Sequence, residues 1–291
     1  MIEHLVSPEL RRWLLAQVDC GREAREIVDS MRDAGWDAAL AQQALQQVLE
    51  PGQAQRARAP GAPGAPDAPH GECGAMPGPA LEGSPSTLVV EGHALQVLAS
   101  LQRPRLVLFG GLLTSDECDA LVEQARERLA RSETVDLGSG DSRIDGARTS
   151  EGMFFARGQT PLVERIERRI AALLRWPVER GEGLQVLRYV AGAEYRPHHD
   201  YFDPAHAGSA AVLARGGQRV ATLVMYLAAP AGGGATSFPD AGLSIAPVKG
   251  NAVFFSYEEP KPWTRSLHGG APVLAGEKWV ATKWLRQRRF D

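Results

Sequence analysis

Apolar residues recur at helical spacing over the first fifty positions and in two later segments, whereas most of the C-terminal half alternates as strands do. Ser7 followed by Pro8 opens the first helical pattern. Leu10, Trp13, Leu14 and Val18 form its apolar stripe, which stops at Gly21. Ala24, Ile27, Val28 and Met31 mark a second helix ending near Gly35, and Asp37 caps a third with Leu40, Ala44, Leu45 and Val48 inward. The pattern predicts a three-helix module over residues 1–50. From 51 to 86 the chain turns to Pro, Gly and Ala (APGAPGAPDAP, GAMPGPALEGSPS), with almost nothing to bury. That composition predicts a disordered linker, with His70 and Cys73 as solvated bystanders.

A larger domain is expected over 87–291. Strand-like segments at Leu88–Glu91 and Arg105–Phe109 precede Thr114-Ser115-Asp116-Glu117, which has capping-box spacing. Cys118, Leu121, Val122, Ala125 and Leu129 continue that helix. Residues 132–150 are polar and glycine-rich, a long loop of the kind that often closes over a site. A second helix follows from Pro161 to Trp176, with Leu162, Ile166, Ile170 and Leu173 inward. Short strands then dominate: Leu184–Tyr189, Arg219–Leu227, Leu243–Pro247, Asn251–Ser256, Ser266–His268 and Lys278–Leu285. Helices followed by many short strands predict an α+β domain with a mainly β core, an antiparallel barrel or sandwich with flanking helices.

Composition narrows the function classes. The chain has 291 residues, 44% hydrophobic and 23% charged, with a formal net charge of −3. These values suit a globular protein and give no basic field for nucleic acid or an anionic membrane surface. No apolar run approaches the roughly 20 residues that span a bilayer, and MIEHLVSPELRRW lacks the basic start and apolar core of a signal peptide. Three widely spaced cysteines, Cys20, Cys73 and Cys118, make no disulfide framework. A reducing, cytoplasmic setting is expected.

The candidate chemistry lies in Tyr189–Asp203, YVAGAEYRPHHDYFD. In an extended segment residues i and i+2 share a face, so His198 and Asp200 project together and His199 points away. An imidazole and a carboxylate side by side are two parts of a 2-His-1-carboxylate facial triad for non-haem Fe(II). Taken alone the pair also fits a solvated strand edge or turn. His268, 70 residues on, is the candidate third ligand. Lys278 follows ten residues later at the start of a strand, where a hairpin can set it beside the metal. A 2-oxoacid chelating iron leaves a second carboxylate at its far end, which a buried cation would meet through a charge-assisted hydrogen bond.

The segment Tyr189-x-x-Gly192-x-x-Tyr195-x-x-His198-x-Asp200, followed by RVATLVMYL, GGGATSFP, GNAVFF and SLHGGAPVLAGEKWVATKW, resembles the prolyl 4-hydroxylase branch of the Fe(II)/2-oxoglutarate dioxygenases. The likeness spans about residues 103–287 and includes RTSEGMFF at 148–155. It implies a double-stranded β-helix (jelly-roll) core. It further implies O2-dependent hydroxylation of a prolyl residue in a peptide or protein, with 2-oxoglutarate decarboxylated to succinate and CO2. Ascorbate is implied as an accessory. By the same resemblance His198, Asp200 and His268 are the metal ligands and Lys278 grips the far carboxylate of 2-oxoglutarate. Tyr189, Thr222 and Tyr226 line the cosubstrate pocket, and Tyr195, Arg219 and Trp284 surround the target proline. Each of the last three has a structural alternative: a strand residue, half of an ion pair and a core aromatic. The chain departs from the family at Ala235, where Glu is frequent, and at Ala271, where Cys is frequent. Asp200 itself argues against the halogenases, which place a small residue there. More loosely, residues 1–50 are similar to ubiquitin-associated-type three-helix modules through the Met31–Trp36 loop, which implies a protein partner. Competing readings are oxidation of a free amino acid or another side chain, and a catalytically silent binding protein acting through the helical module.

Overall fold

In the computed structural model, which describes residues 6, 10, 13–14, 17–18, 24–33, 35–49, 76–132, 134–135, 142–143, 148–206 and 208–291, the chain divides at Ala75/Met76 into two units. In the first, α1 (Ala24–Asp33) and α2 (Ala38–Leu49) bury Ile27, Met31, Ala41, Ala44 and Leu45 against one another. Asp37 caps α2 as predicted, its Oδ1 accepting from the amides of Ala39 and Leu40 at 2.9 and 3.2 Å. Leu40, expected inward, is 42% exposed, and Ala41 takes the inward position. The first predicted helix lies largely outside the described residues, although Leu14 is buried in the same cluster. Most of the predicted linker, with His70 and Cys73, also lies outside them, as does Cys20.

The linker's last residues belong to the second unit. Met76 and Leu81 pack against its core. The Gly78 amide donates to the Leu174 carbonyl at 2.8 Å, and Arg175 Nε donates to the Gly78 carbonyl at 3.1 Å. Two isolated apolar residues in a Pro/Gly-rich stretch have no periodicity to betray them, yet each finds a place in a preformed core.

The alternating segments pair throughout as antiparallel strands. In chain order they are β1 (Thr87–Val90), β2 (His93–Leu101) and β3 (Arg105–Gly110), then α3 (Ser115–Arg126), β4 (Ala130–Arg131), β5 (Thr134–Val135), β6 (Ser142–Arg143) and β7 (Glu151–Phe155). After α4 (Pro161–Leu174) come β8 (Leu184–Tyr189), β9 (Tyr195–His198), the short α5 (Ser209–Ala214) and β10 (Arg219–Ala228). β11 (Gly232–Gly233), β12 (Thr236–Phe238), β13 (Leu243–Ile245), β14 (Ala252–Ser256), β15 (His268–Gly270), β16 (Val273–Ala275) and β17 (Lys278–Arg286) complete the set. A nine-stranded sheet runs β1-β2-β3-β14-β10-β17-β8-β7-β4, and a four-stranded sheet runs β13-β12-β15-β9. β5 pairs with β6 inside the predicted 132–150 loop, most of which lies outside the described residues.

Parity along the strands divides the interior in two. Leu223, Met225, Ala281 and Phe254 face α3 and α4, forming one apolar cluster with Leu121, Ile166 and Ile170. Tyr226, Val280, Phe255 and Leu187 face the four-stranded sheet, meeting Phe238 and Ile245 in a second cluster. Two sheets closed over such an inner core give the predicted jelly-roll architecture. The capping box at Thr114 and Glu117 forms, and Thr160 with Pro161 starts α4. Among the described residues no helix is long and apolar enough to cross a membrane.

Candidate metal and cosubstrate site

β9 and β15 are neighbours, and their register sets His198 directly opposite His268. Gly269 permits this approach: a Cβ there would lie 2.9 Å from the Tyr195 carbonyl oxygen. β9 ends at His198, so Asp200 sits just past the strand rather than within it as the i, i+2 reading assumed; the turn still brings its carboxylate back between the two rings. His198 Nε2 is 3.6 Å from Asp200 Oδ1, and His268 Nε2 is 3.4 Å from Asp200 Oδ2. The three candidate donor atoms lie within 4.8 Å of one another.

The rings are oriented by their far nitrogens. His198 Nδ1 lies 2.9 Å from the Arg196 carbonyl and His268 Nδ1 lies 3.0 Å from the Ser266 carbonyl. A carbonyl only accepts, so both Nδ1 atoms carry a proton, and in the neutral ring this leaves the Nε2 lone pair facing the centre. Burial pushes His268 down to about 4, which keeps its ring neutral at pH 7. Burial alone would raise Asp200, but at the acid pH where it titrates the positive charge of His268, with His198 and Arg219, outweighs burial and holds the carboxyl well below the usual range. Thr222 Oγ1 donates to Asp200 Oδ2 at 2.7 Å. Its only proton is thereby used, so the Tyr257 phenol 3.0 Å away must donate to Thr222. Thr222, predicted to line the cosubstrate pocket, therefore spends its hydroxyl on orienting Asp200. An ionised carboxylate and two neutral imidazole nitrogens, with adjoining space, suit a ferrous ion and leave positions for other ligands.

Lys278 opens β17 opposite Tyr189 on β8. It is buried, and its ammonium lies 5.6 Å from the Tyr189 ring centre and 5.8 Å from that of Tyr226. Burial lowers it to about 8. Among the described residues no carboxylate pairs with it. Tyr226, predicted to line the pocket, does not: it is fully buried, its hydroxyl donates to Thr236 Oγ1 at 2.9 Å, and Thr236 stands at the cleft in its place. Lys278, Tyr189, Thr236 and Gly270 line one cleft with the triad, Tyr195 and Trp284.

The residues predicted around a substrate fare differently. Tyr195 stacks on His198 with ring centres 3.7 Å apart, and burial raises its phenol to about 12, so it stays protonated. Trp284 lines the cleft, and its buried indole Nε1 meets no acceptor among the described residues. Arg219 does not line it. Its Nε and Nη2 donate to both oxygens of Glu182 at 2.7 and 3.0 Å, which is the ion-pair alternative. Nη1 reaches the Asp200 carbonyl at 3.4 Å, and the guanidinium lies 4.1 Å from the centre of the Trp284 ring. Glu182 also accepts from Arg286 Nε at 2.6 Å. Glu182 and Tyr257 stand at no spacing that marks them in the sequence; only their contacts do.

Residues 184–286 match the 2OG-Fe(II) oxygenase superfamily. Over 237 residues the chain is 39% identical to prolyl 4-hydroxylase 2 of Arabidopsis thaliana, covering 72% of this chain and 76% of that one. It is 42% identical over 206 residues to prolyl 4-hydroxylase 1 of the same plant, covering 64% and 70%. Among solved structures, the viral collagen prolyl hydroxylase of Paramecium bursaria Chlorella virus-1 aligns at a TM-score of 0.49 and 31% identity, covering 62% of this chain and 95% of that one.

Proposed function

The chain belongs to the 2OG-Fe(II) oxygenase superfamily, in its prolyl 4-hydroxylase branch, and on that premise we propose how its residues divide the work. It is a 2-oxoglutarate-dependent dioxygenase that hydroxylates a prolyl residue in a peptide or protein. His198, Asp200 and His268 hold the iron. Fe(II) bound there supplies O2 activation, with one oxygen atom going to the succinate formed from 2-oxoglutarate and the other to the proline ring. The observation that carries this assignment is the convergence of two Nε2 atoms, on rings that donate through Nδ1, upon a hydrogen-bonded carboxylate, with a buried lysine in the same cleft that meets no carboxylate among the described residues.

Asp200 contributes the charge, and the chain Tyr257 to Thr222 to Asp200 fixes its orientation. Lys278 meets the distal carboxylate of 2-oxoglutarate in a site dry enough to strengthen that bond, with Tyr189 as an apolar wall. Tyr195 and Trp284 hold the target proline; the ring has no N–H, and the Trp284 indole has a donor to spare for a neighbouring carbonyl. Arg219 acts indirectly, braced by Glu182 while it supports Trp284 and the Asp200 turn. Accessory use of ascorbate, a cytoplasmic setting and a protein partner for the N-terminal helices belong to the same proposal.

The test is succinate release by protein supplied with Fe(II), 2-oxoglutarate and proline-containing peptides. Wild type should be stimulated by peptide, and Asp200→Ala should abolish turnover while keeping the fold. Turnover retained in Asp200→Ala without added carboxylate would sink the ligand assignment. Stimulation by a free amino acid but by no peptide would move the substrate to the second enzyme reading.

A further inference from the structure

The inner face of the nine-stranded sheet continues beyond the part that the four-stranded sheet covers. Thr282, Gln185 and Phe154 lie opposite one another on β17, β8 and β7. Cross-strand partners share a face, so Phe154 projects to the side that carries Lys278, Thr282 and Trp284 in the cleft. Its strand neighbours Met153 and Phe155 face the helices and are buried. Phe154 is 50% exposed, a large apolar ring presented to water beside a catalytic cleft. Its centroid is 6.5 Å from that of Trp284, with the planes tilted by 35°.

The indole Nε1 of Trp284 is an independent sign of an absent ligand. It is buried, meets no acceptor among the described residues, and belongs to a residue that lines the cleft. Buried donors are nearly always paired, and a peptide carbonyl would pair this one. An extended chain places side chains i and i+2 on the same side about 6–7 Å apart, which is the spacing of the two rings. We infer that Phe154 is the floor of a second apolar subsite. It receives an apolar side chain two residues from the target proline while that proline lies against Trp284. The inference rests on the peptidyl-proline reading above and adds a sequence preference to it. A glycine or aspartate at that position would leave the ring in water or bury a charge against it.

The experiment uses the full chain with Fe(II) and 2-oxoglutarate and short peptides with one proline. Each carries leucine, glycine or aspartate either two residues before or two residues after the proline. At one of these positions wild type should prefer leucine over glycine by about tenfold in kcat/KM. In Phe154→Ala the preference should fall to about one; in Phe154→Leu, which keeps an apolar floor, it should persist. Equal kcat/KM for leucine and glycine peptides at both positions in wild type would overturn the subsite. So would a Phe154→Ala protein that keeps the preference or loses activity on all peptides alike. Failure of wild type to hydroxylate any of the peptides is a distinct result, and it removes the peptidyl reading together with the subsite.

Discussion

At the scale of single residues, the site is a set of groups whose protonation is decided by their neighbours. Thr222→Val would delete the hydroxyl that orients Asp200 and strand the Tyr257 phenol in a buried position. Such outer partners typically govern ten- to hundredfold in metal affinity. Fe(II) titration should therefore show about tenfold weaker binding with the fold intact, and unchanged affinity would reject the orienting role. Lys278 makes a second prediction. Losing one charge-assisted hydrogen bond costs roughly 1.5–3 kcal/mol, so Lys278→Ala should raise the KM for 2-oxoglutarate by one to two decades and that for peptide far less. Because burial lowers Lys278 to about 8, the free site holds its ammonium below that pH and loses it above. The wild-type KM for 2-oxoglutarate should be flat up to about pH 8 and climb beyond it, whereas a curve flat to pH 10 would contradict the assigned role. Residue type and spacing single out His198, Asp200, His268 and Lys278 in the chain, although the strand parity read for His198 and Asp200 fails because Asp200 lies past the end of β9. Arg219 shows the limit: sequence displays a donor-rich side chain, but only the fold reveals that Glu182 has already taken two of its three nitrogens.

At the scale of elements, α3 and α4 are joined through one carboxylate. Glu117 closes the capping box of α3 and receives Arg169 at 2.7 and 2.9 Å and Arg165 at 3.1 Å. Burial alone would raise its pKa, but Arg169, the Thr114 amide and Arg165 pull it down to about 2. A depressed carboxylate contributes stability that is complete above its unfolded value near 4.5 and is lost as pH falls through the folded value. Unfolding midpoints should therefore drop between about pH 4.5 and 2, and Glu117→Gln should flatten that part of the curve. Glu117→Ala should cost roughly 3 kcal/mol by leaving Arg169 buried and unpaired, measured by denaturant titration, with the peptide KM unaffected. The helix starts and the strongly alternating β10 and β17 were readable because each satisfies a local rule. β2 and β7 were not. The burial of β2 alternates as far as Leu98, but its exposed positions carry Ala94 and Leu98, which hides the pattern in the sequence, and Gly152 interrupts that of β7, where a Cβ would meet Leu187 at 2.6 Å. Their pairing is imposed by the rest of the sheet.

At the scale of the whole molecule, the second unit begins at Met76, eleven residues before the compositional boundary at Thr87. A chain starting at Met76 should hydroxylate a short peptide at close to the full-length rate. Starting instead at Thr87 removes Met76, Leu81 and the Gly78 bonds to Leu174 and Arg175. That is roughly 2–4 kcal/mol, and thermal unfolding should come about 5–10 °C lower. Equal melting points for the two truncations would show that residues 76–86 add nothing. The two sheets are also unequal partners. Lys278 and Trp284 stand on β17, paired on both sides within nine strands, but His198 stands on β9, the last strand of four. Among the described residues, β9 is held by β15 on one side and, on the other, by a bridge from Arg148 to Tyr195 with Thr149 bonded to Glu194 beside it. A metal ion gripping His198, Asp200 and His268 would rivet that margin to its neighbour. Loading and unravelling then become two ends of one equilibrium: iron starvation would loosen the rim of the barrel before it touched the centre, and the supply of metal would set how long the catalytic end of the protein survives as well as how fast it turns over.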